Sequence, residues 1–253
     1  EDNETRNSTA FEFSDPQAED EVGKTKTKRK LKQRQDTQEI QSYVFGGERT
    51  MGLWTLSGQA GYSESSEDNP GGIAGATFKG SSSIGNGGFY DTEKPRPIIG
   101  AGFYDPTNFS LDKVDWQEQH TKDTEKNIRL DLARDYDVQG YASQVKFGGK
   151  VSRRNKDNDL NAWTYKDFSD LGFSDEQLSL NAFNKGNLHY NLGQYGPGIS
   201  GGAIKDLIGG LNRDDFYNEQ DSRANDFKMR EDINAAYLMN TVDIDDWRFI
   251  AGM

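Results

Sequence analysis

The chain has 253 residues, of which 32% are hydrophobic, and a formal net charge of −12 from 42 acidic and 30 basic side chains. That apolar share is thin for a compact water-soluble core of this length, and the acidity argues against a nucleic-acid partner. The absence of cysteine excludes a disulfide scaffold, a thiolate metal site and a cysteine nucleophile, and two histidines, His120 and His189, do not make a histidine-rich metal site.

Aromatic residues at 11% and 28 glycines argue against a chain built to stay unfolded. No apolar run approaches the roughly 20 residues of a membrane helix. The first residues, EDNETRNSTAFEF, lack the basic start and apolar middle of a signal peptide. Transmembrane β-strands need only about 10 alternating residues, so the lack of such a helix does not exclude a membrane.

The alternation comes in pairs. Residues 24–35, KTKTKRKLKQRQ, are polar on both faces and lead without a breaker into TQEIQSYVFGG, a loose strand with Ile40 and Val44 on one parity and Tyr43 and Phe45 on the other. After the short link GERTMG, Trp54, Leu56, Gly58, Ala60 and Tyr62 share one face of LWTLSGQAGYS, and the pair predicts a hairpin over about 36–63. Residues from about 64 to 115 are rich in Gly, Ser, Asn and Pro, and read as a long loop.

A second hairpin is predicted over about 125–152. Ile128, Leu130 and Leu132 alternate with Asn127, Arg129 and Asp131, and Tyr141, Val145, Phe147 and Val151 alternate with Gln144, Lys146, Lys150 and Ser152. The stretch from Tyr141 to Tyr165 is long enough, at about 3.3 Å per residue, to run well beyond a bilayer core. A second long loop is predicted over about 166–228, holding a short helix at SDEQLSLNAF where Ser174 and Gln177 match a capping box.

The last hairpin, about 230–253, places Ile233, Ala235, Tyr237 and Met239 on one parity, then a short acidic turn, then Trp247, Phe249, Ala251 and Met253; Leu238 and Ile250 break the alternation. Strand, short turn, strand and long loop, repeated, is the pattern of an outer-membrane barrel with tight periplasmic turns and long extracellular loops. Trp54, Tyr141 and Trp247 each follow a predicted short turn and suit one interfacial aromatic girdle, with Tyr62 in the other. The competing reading of these aromatics is the core of a soluble β-sandwich.

GLWTLSGQAGYSESSED, NIRLDLARDYDVQGYASQVKFGGKVSRRNKD and REDINAAYLMNTVDIDDWRFIAGM resemble consecutive barrel segments of a TonB-dependent receptor, an outer-membrane active transporter, and look closest to the large receptors of proteobacteria. The resemblance covers most of the chain and is weakest in the loops. It implies an all-β, antiparallel transmembrane β-barrel of about 22 strands, in the bacterial cell outer membrane. It also implies a plug domain and a TonB box, through which the partner TonB powers uptake of a scarce solute such as a siderophore, vitamin or oligosaccharide. Neither plug nor TonB box is recognisable in these residues, and the ending at Met253 suggests a piece of a longer receptor. About six strands cannot close such a barrel. The resemblance implies no enzyme and no cofactor.

Substrate contacts are then expected on the long loops, from Phe89, Tyr90, Phe103, Tyr104, Tyr195, Phe216 and Tyr217, whose rings could stack on a sugar or a siderophore; the competing reading, which weighs more for each, is an aromatic packed within its own loop. The basic run from Lys24 to Arg34 could meet lipopolysaccharide phosphates, or be a solvated strand face. GPGISG at residues 196–201 has the spacing of a dinucleotide loop, but NLHYNLGQY before it is too polar for the required strand. DNDLN at 157–161 begins like a calcium loop, but Ala162 and Phe168 stand where glycine and glutamate are needed. The acids of NRDDFYNEQD could serve hydrolysis or simply be solvated. Two other classes fit the pattern: a passive porin-like or adhesin-like barrel, and a soluble carbohydrate-binding or hydrolytic β-domain.

Overall fold

The computed structural model describes residues 2–13, 23–80, 86–90, 93, 96–190 and 193–253. The chain is mostly antiparallel β-sheet. Its strands are β1 (Asp2–Phe13), β2 (Gly23–Met51), β3 (Trp54–Gly80), β4 (Asn86–Tyr90), β5 (Arg96–Ile98), β6 (Phe109–Val138), β7 (Tyr141–Lys166), β8 (Asn184–Tyr190), β9 (Gly193–Ile199), β10 (Phe227–Ile244) and β11 (Trp247–Gly252). The large sheet runs β11-β10-β7-β6-β3-β2-β4-β5, with β1 also on β2, and β8 pairs β9 separately. Among the described residues this is an open path of strands, and no pairing closes it into a barrel.

Three tight turns join the long strands. Gly52 has φ +64°, Gln139 and Gly140 have φ +56° and +88°, and Asp245 has φ +53°. A two-residue hairpin turn needs positive φ, which the glycines adopt without strain and Asp245 tolerates, while Gln139 takes it as the partner of Gly140. Trp54, Tyr141 and Trp247 are therefore the first residues after their turns, as the sequence predicts.

The predicted loop over 64–115 is corrected at both ends. β3 runs on through NPGG to Gly80, and β6 begins at Phe109. Gly71, at φ +147°, explains why a turn-like sequence lies in a strand: a Cβ there would stand 2.5 Å from Trp116 Cζ2, so the bare backbone carries the indole. The predicted loop over 166–228 holds β8, β9 and the helices α1 (Asp175–Leu178), α2 (Gly201–Gly209) and α3 (Glu219–Asn225), with β10 starting at Phe227. The capping box is present: the Ser174 N–H donates to Gln177 Oε1 at 2.9 Å and the Gln177 N–H to Ser174 Oγ at 3.3 Å.

The chain divides into two compact units, residues 1–37, 69–119 and 160–225 in one, and 38–68, 120–159 and 226–253 in the other. The first has its own core. Leu31, Ile73 and Phe78 from β2 and β3 pack with Phe109, Leu111 and Val114 of β6, and with Phe168, Leu180, Phe183 and Ile204 from the segment after β7. Ser200 caps α2 by accepting from the Ala203 N–H at 3.3 Å, which fixes the start of the helix that delivers Ile204 and Ile208.

The second unit is a sheet with two unlike faces. One face is polar: Asp123, Asp131 and Asp135 of β6 meet Arg154, Lys146 and Gln144 of β7. The other is apolar and exposed, with Leu130 Cδ2 lying over Gly58, Tyr43 stacked on Tyr62, and Leu238 directly across from Phe147. Among the described residues, all the exposed large hydrophobic side chains except Tyr104, Leu171 and Tyr217 belong to this unit, and all the buried ones except Ala133 belong to the first.

Register corrects the predicted face of β10. Ile233, Ala235, Tyr237 and Met239 stand across from Ser152, Lys150, Gly148 and Lys146, on the polar face. Residues directly opposite in an antiparallel pair share a face. Leu238, which breaks the sequence alternation, is on the apolar face, as are Val242 and its partner Phe249. Among the described residues no helix is long and apolar enough to cross a membrane, which says nothing of crossing by strands.

Candidate functional site

The aromatics of the first unit gather around two arginines. Arg29 enters from β2 and is 1% exposed. Its Nη2 donates to Phe103 O at 3.0 Å and its Nη1 to Tyr195 O at 3.2 Å, while the guanidinium carbon lies 4.1 Å from the Phe103 ring centre and 4.9 Å from that of Phe109. Among the described residues no carboxylate pairs with it, and Nε has no hydrogen-bond partner. Burial pulls its pKa well below the ordinary arginine value, to about 10. Carbonyl oxygens and ring faces thus hold the charge, and this cluster is a structural joint with no opening beside it: a Cβ on Gly196 would already stand 2.6 Å from Nη2.

The second cluster has space. An open cavity of about 250 Å³ is lined by Trp116, Tyr165, Lys205, Ile208, Gly209, Leu211 and Arg213. β6 supplies Trp116, β7 supplies Tyr165, and α2 with the turn after it supplies the rest. Lys205 Nζ lies 5.7 Å from the Trp116 ring centre. The Arg213 guanidinium carbon sits 3.5 Å from the ring centre of Trp163, and its Nη2 is 2.6 Å from Glu118 Oε1. Tyr165 is backed by Phe216 at 4.7 Å between ring centres, and burial raises its phenol pKa above the ordinary 10, opposed by the Arg213 charge. Ring surface with a cation at the rim binds a flat or ring-shaped solute and favours one with negative charge.

The structure sorts the loop aromatics predicted as substrate contacts. Phe103 is 3% exposed and packs in the core, so it offers no contact surface; Tyr195 is half-buried against Arg29. Phe216 backs the Tyr165 ring, and Tyr217, 45% exposed, stands edge-on to Trp163 at 5.7 Å. Tyr104 is 37% exposed beside Phe103. Phe89 and Tyr90 lie in β4 opposite Pro97 and Arg96, and their side chains fall outside those described. Sequence reasoning looked to loops and missed Trp116, Trp163 and Tyr165, which sit on strands; the signal was tryptophan in otherwise polar strand segments.

In the second unit, Trp54 lies under Arg134 at 5.2 Å, Trp247 is 72% exposed, Tyr141 is half-buried, and Tyr62 donates its hydroxyl to Glu64 at 2.6 Å. Above Tyr62 lies a groove of about 550 Å³ whose walls include Ala60, Ile128, Val151, Lys126 and Arg153.

The other motifs lose their functional readings. At GPGISG the strand is antiparallel β9, and a Cβ on Gly201 would collide with the Gln33 amide, so the start of α2 is covered. Residues 157–161 lie inside β7, where Asp157 pairs with Lys228 at 3.0 Å and Asn158 Oδ1 accepts from Thr121 at 2.6 Å; an extended strand does not wrap a cation. Asp214 and Asp215 are exposed, and Glu219 pairs with Arg223 at 2.6 Å.

Comparison with known proteins yields no match: no family model, no curated protein and no solved structure is significantly similar to this chain.

Proposed function

We propose that this chain is part of an outer-membrane β-barrel receptor that takes up a scarce solute, such as a siderophore, vitamin or oligosaccharide, with energy supplied through TonB. The observation that carries the membrane part is the partition of apolar side chains between the units. An exposed face carrying Leu56, Ile128, Leu130, Phe147, Val151 and Leu238 is a liability in water and is what a lipid-facing surface requires. Its length supports the same reading: Trp54 to Tyr62 is nine residues of β3 and Tyr141 to Val151 is eleven of β7, against about 9–11 for a tilted strand crossing a bilayer. The opposite face, with Asp131, Lys146, Arg154 and Tyr237, suits a hydrated lumen.

The receptor part rests on the first unit, whose cavity at Trp116, Tyr165, Lys205 and Arg213 is the candidate solute site. TonB enters through the resemblance of the strand segments, and it would act on a plug. The test is to fold the chain in aqueous buffer and in detergent micelles, followed by far-ultraviolet circular dichroism and sedimentation. Defined β-structure in a monodisperse species only in detergent is the expected result. A compact, cooperatively melting monomer in plain buffer would overturn the membrane reading in favour of a soluble β-domain. Solute uptake that persists without TonB in cells carrying the intact receptor would favour a passive porin-like barrel.

A further inference from the structure

Lys24, Lys26, Lys28, Lys30, Lys32 and Arg34 occupy every second position of β2. In a strand this spacing puts Lys26, Lys28, Lys30, Lys32 and Arg34 on one face. The intervening Thr27, Arg29 and Leu31 are buried, so the basic face is the solvent side: Lys26, Lys28 and Lys30 are exposed and Lys32 is half-buried. The run is therefore a one-sided ladder, which a solvated strand with charge on both faces would not be.

Its surroundings leave the charge open. Across the β1–β2 pair, Lys28 faces Ala10, Lys30 faces Ser8, and Lys32 faces Arg6. Two cations directly opposite repel each other. Arg34 is held by Glu4 at 3.1 Å and by Asp36 at 3.0 Å, and Arg6 by Glu4 at 3.0 Å. Lys28, Lys30 and Lys32 form no ion pair among the described residues, in a chain with 42 acids to supply one. On the other side of β2, Gly75 leaves room for the Lys30 stem: a Cβ there would collide with Lys30 Cε and stand 2.8 Å from Nζ. The nearby Asp115 is engaged by Lys113 at 2.9 Å.

We propose that this ladder docks a linear acidic oligosaccharide, whose successive carboxylates pair with Lys28, Lys30 and Lys32. Side chains on alternate residues of a strand run parallel about 6.7 Å apart and do not converge, so they match a repeating polyanion better than a single phosphate. From Lys28 to Lys32 the row spans roughly 13 Å, the reach of two or three sugar units. The flanking positions are Ser8, Ala10 and Gly75, small or polar, which suits a hydrated glycan and offers nothing to the acyl chains of a phosphorylated lipid. The inference rests on the reading of the chain as part of a solute receptor and names the solute class.

The test titrates the full chain, folded in detergent micelles, with an oligogalacturonate of defined length and with a neutral malto-oligosaccharide of the same length, by calorimetry. The acidic oligomer is expected to bind and the neutral one not. Lys28→Gln/Lys30→Gln/Lys32→Gln should weaken binding about tenfold or more, added salt should weaken it further, and Lys228→Gln should leave it unchanged. Equal affinity in the triple variant, no binding by a chain whose circular dichroism shows native β-structure, or binding only to vesicles carrying lipid phosphates would each overturn the proposal. A chain that folds in plain buffer would overturn the membrane reading alone, and the same titration run there still decides the ladder.

Discussion

Leu238 stands directly across from Phe147 in the β7–β10 pair, and its neighbour Tyr237 points to the opposite face, where its hydroxyl donates to Asp131 Oδ1 at 2.8 Å. Two adjacent residues thus report on two environments. If the apolar face meets lipid, Leu238→Arg should cost about 2–4 kcal/mol in the bilayer and little in the unfolded chain. Tyr237→Phe should cost about 1 kcal/mol for the lost hydrogen bond. Urea titration of the refolded chain in vesicles reads both, and a cost for Leu238→Arg no larger than that for Tyr237→Phe would place Leu238 away from lipid.

Arg29 makes stability rise with alkaline pH. Its folded pKa, about 10, lies well below that of an arginine in the unfolded chain. Between these values the unfolded chain binds more protons than the folded one, so unfolding becomes harder as pH increases, by at most about 1.4 kcal/mol per pH unit. Below pH 10 the buried charge is a fixed cost. Denaturant midpoints of the protein and of Arg29→Met, compared from pH 9 to about 12, should diverge in favour of the unsubstituted chain.

Tyr165 acts with the opposite sign. Burial raises its phenol pKa, so the folded state keeps the proton longer than the unfolded state, and stability falls as pH climbs from the ordinary 10 through the folded value. Absorbance at the phenolate band, protein minus Tyr165→Phe, should show one phenol titrating above the others. The Tyr165→Phe background also isolates the Arg29 effect.

Arg213 should be the hinge of the candidate pocket. Arg213→Gln removes the guanidinium from the Trp163 ring and from Glu118, at a cost of about 1–2 kcal/mol, and changes the tryptophan fluorescence. Lys205→Gln, at an exposed position on α2, should leave stability within about 0.5 kcal/mol. Unchanged fluorescence in Arg213→Gln would mean that the guanidinium does not lie on Trp163 in solution.

The strand pairs, their tight turns and the Ser174–Gln177 cap are legible because each is a short-range pattern: period two, a residue that accepts positive φ, a side chain reaching three positions along. The stretch 64–80 is misleading for the same reason. Asn69, Pro70, Gly71 and Gly72 carry turn chemistry, yet the strand continues because Trp116, far along the chain, needs Gly71 bare beneath it. The pocket is equally hidden, since Trp116, Tyr165, Lys205 and Arg213 come from separate elements.

Sequence alone determined that three pairs of strands turn tightly and that the strands after Trp54, after Asn127 and after Tyr141 each have two unlike faces. Only the tertiary structure decided which face of β10 joins which face of β7, that Arg29 draws in Phe103 and Tyr195, and that the buried core belongs to one unit while the other exposes its apolar face. The pleat makes every strand two-sided by itself, whereas the assignment of a side depends on hydrogen-bond register with a neighbour distant in the chain, and a shift of one residue reverses it.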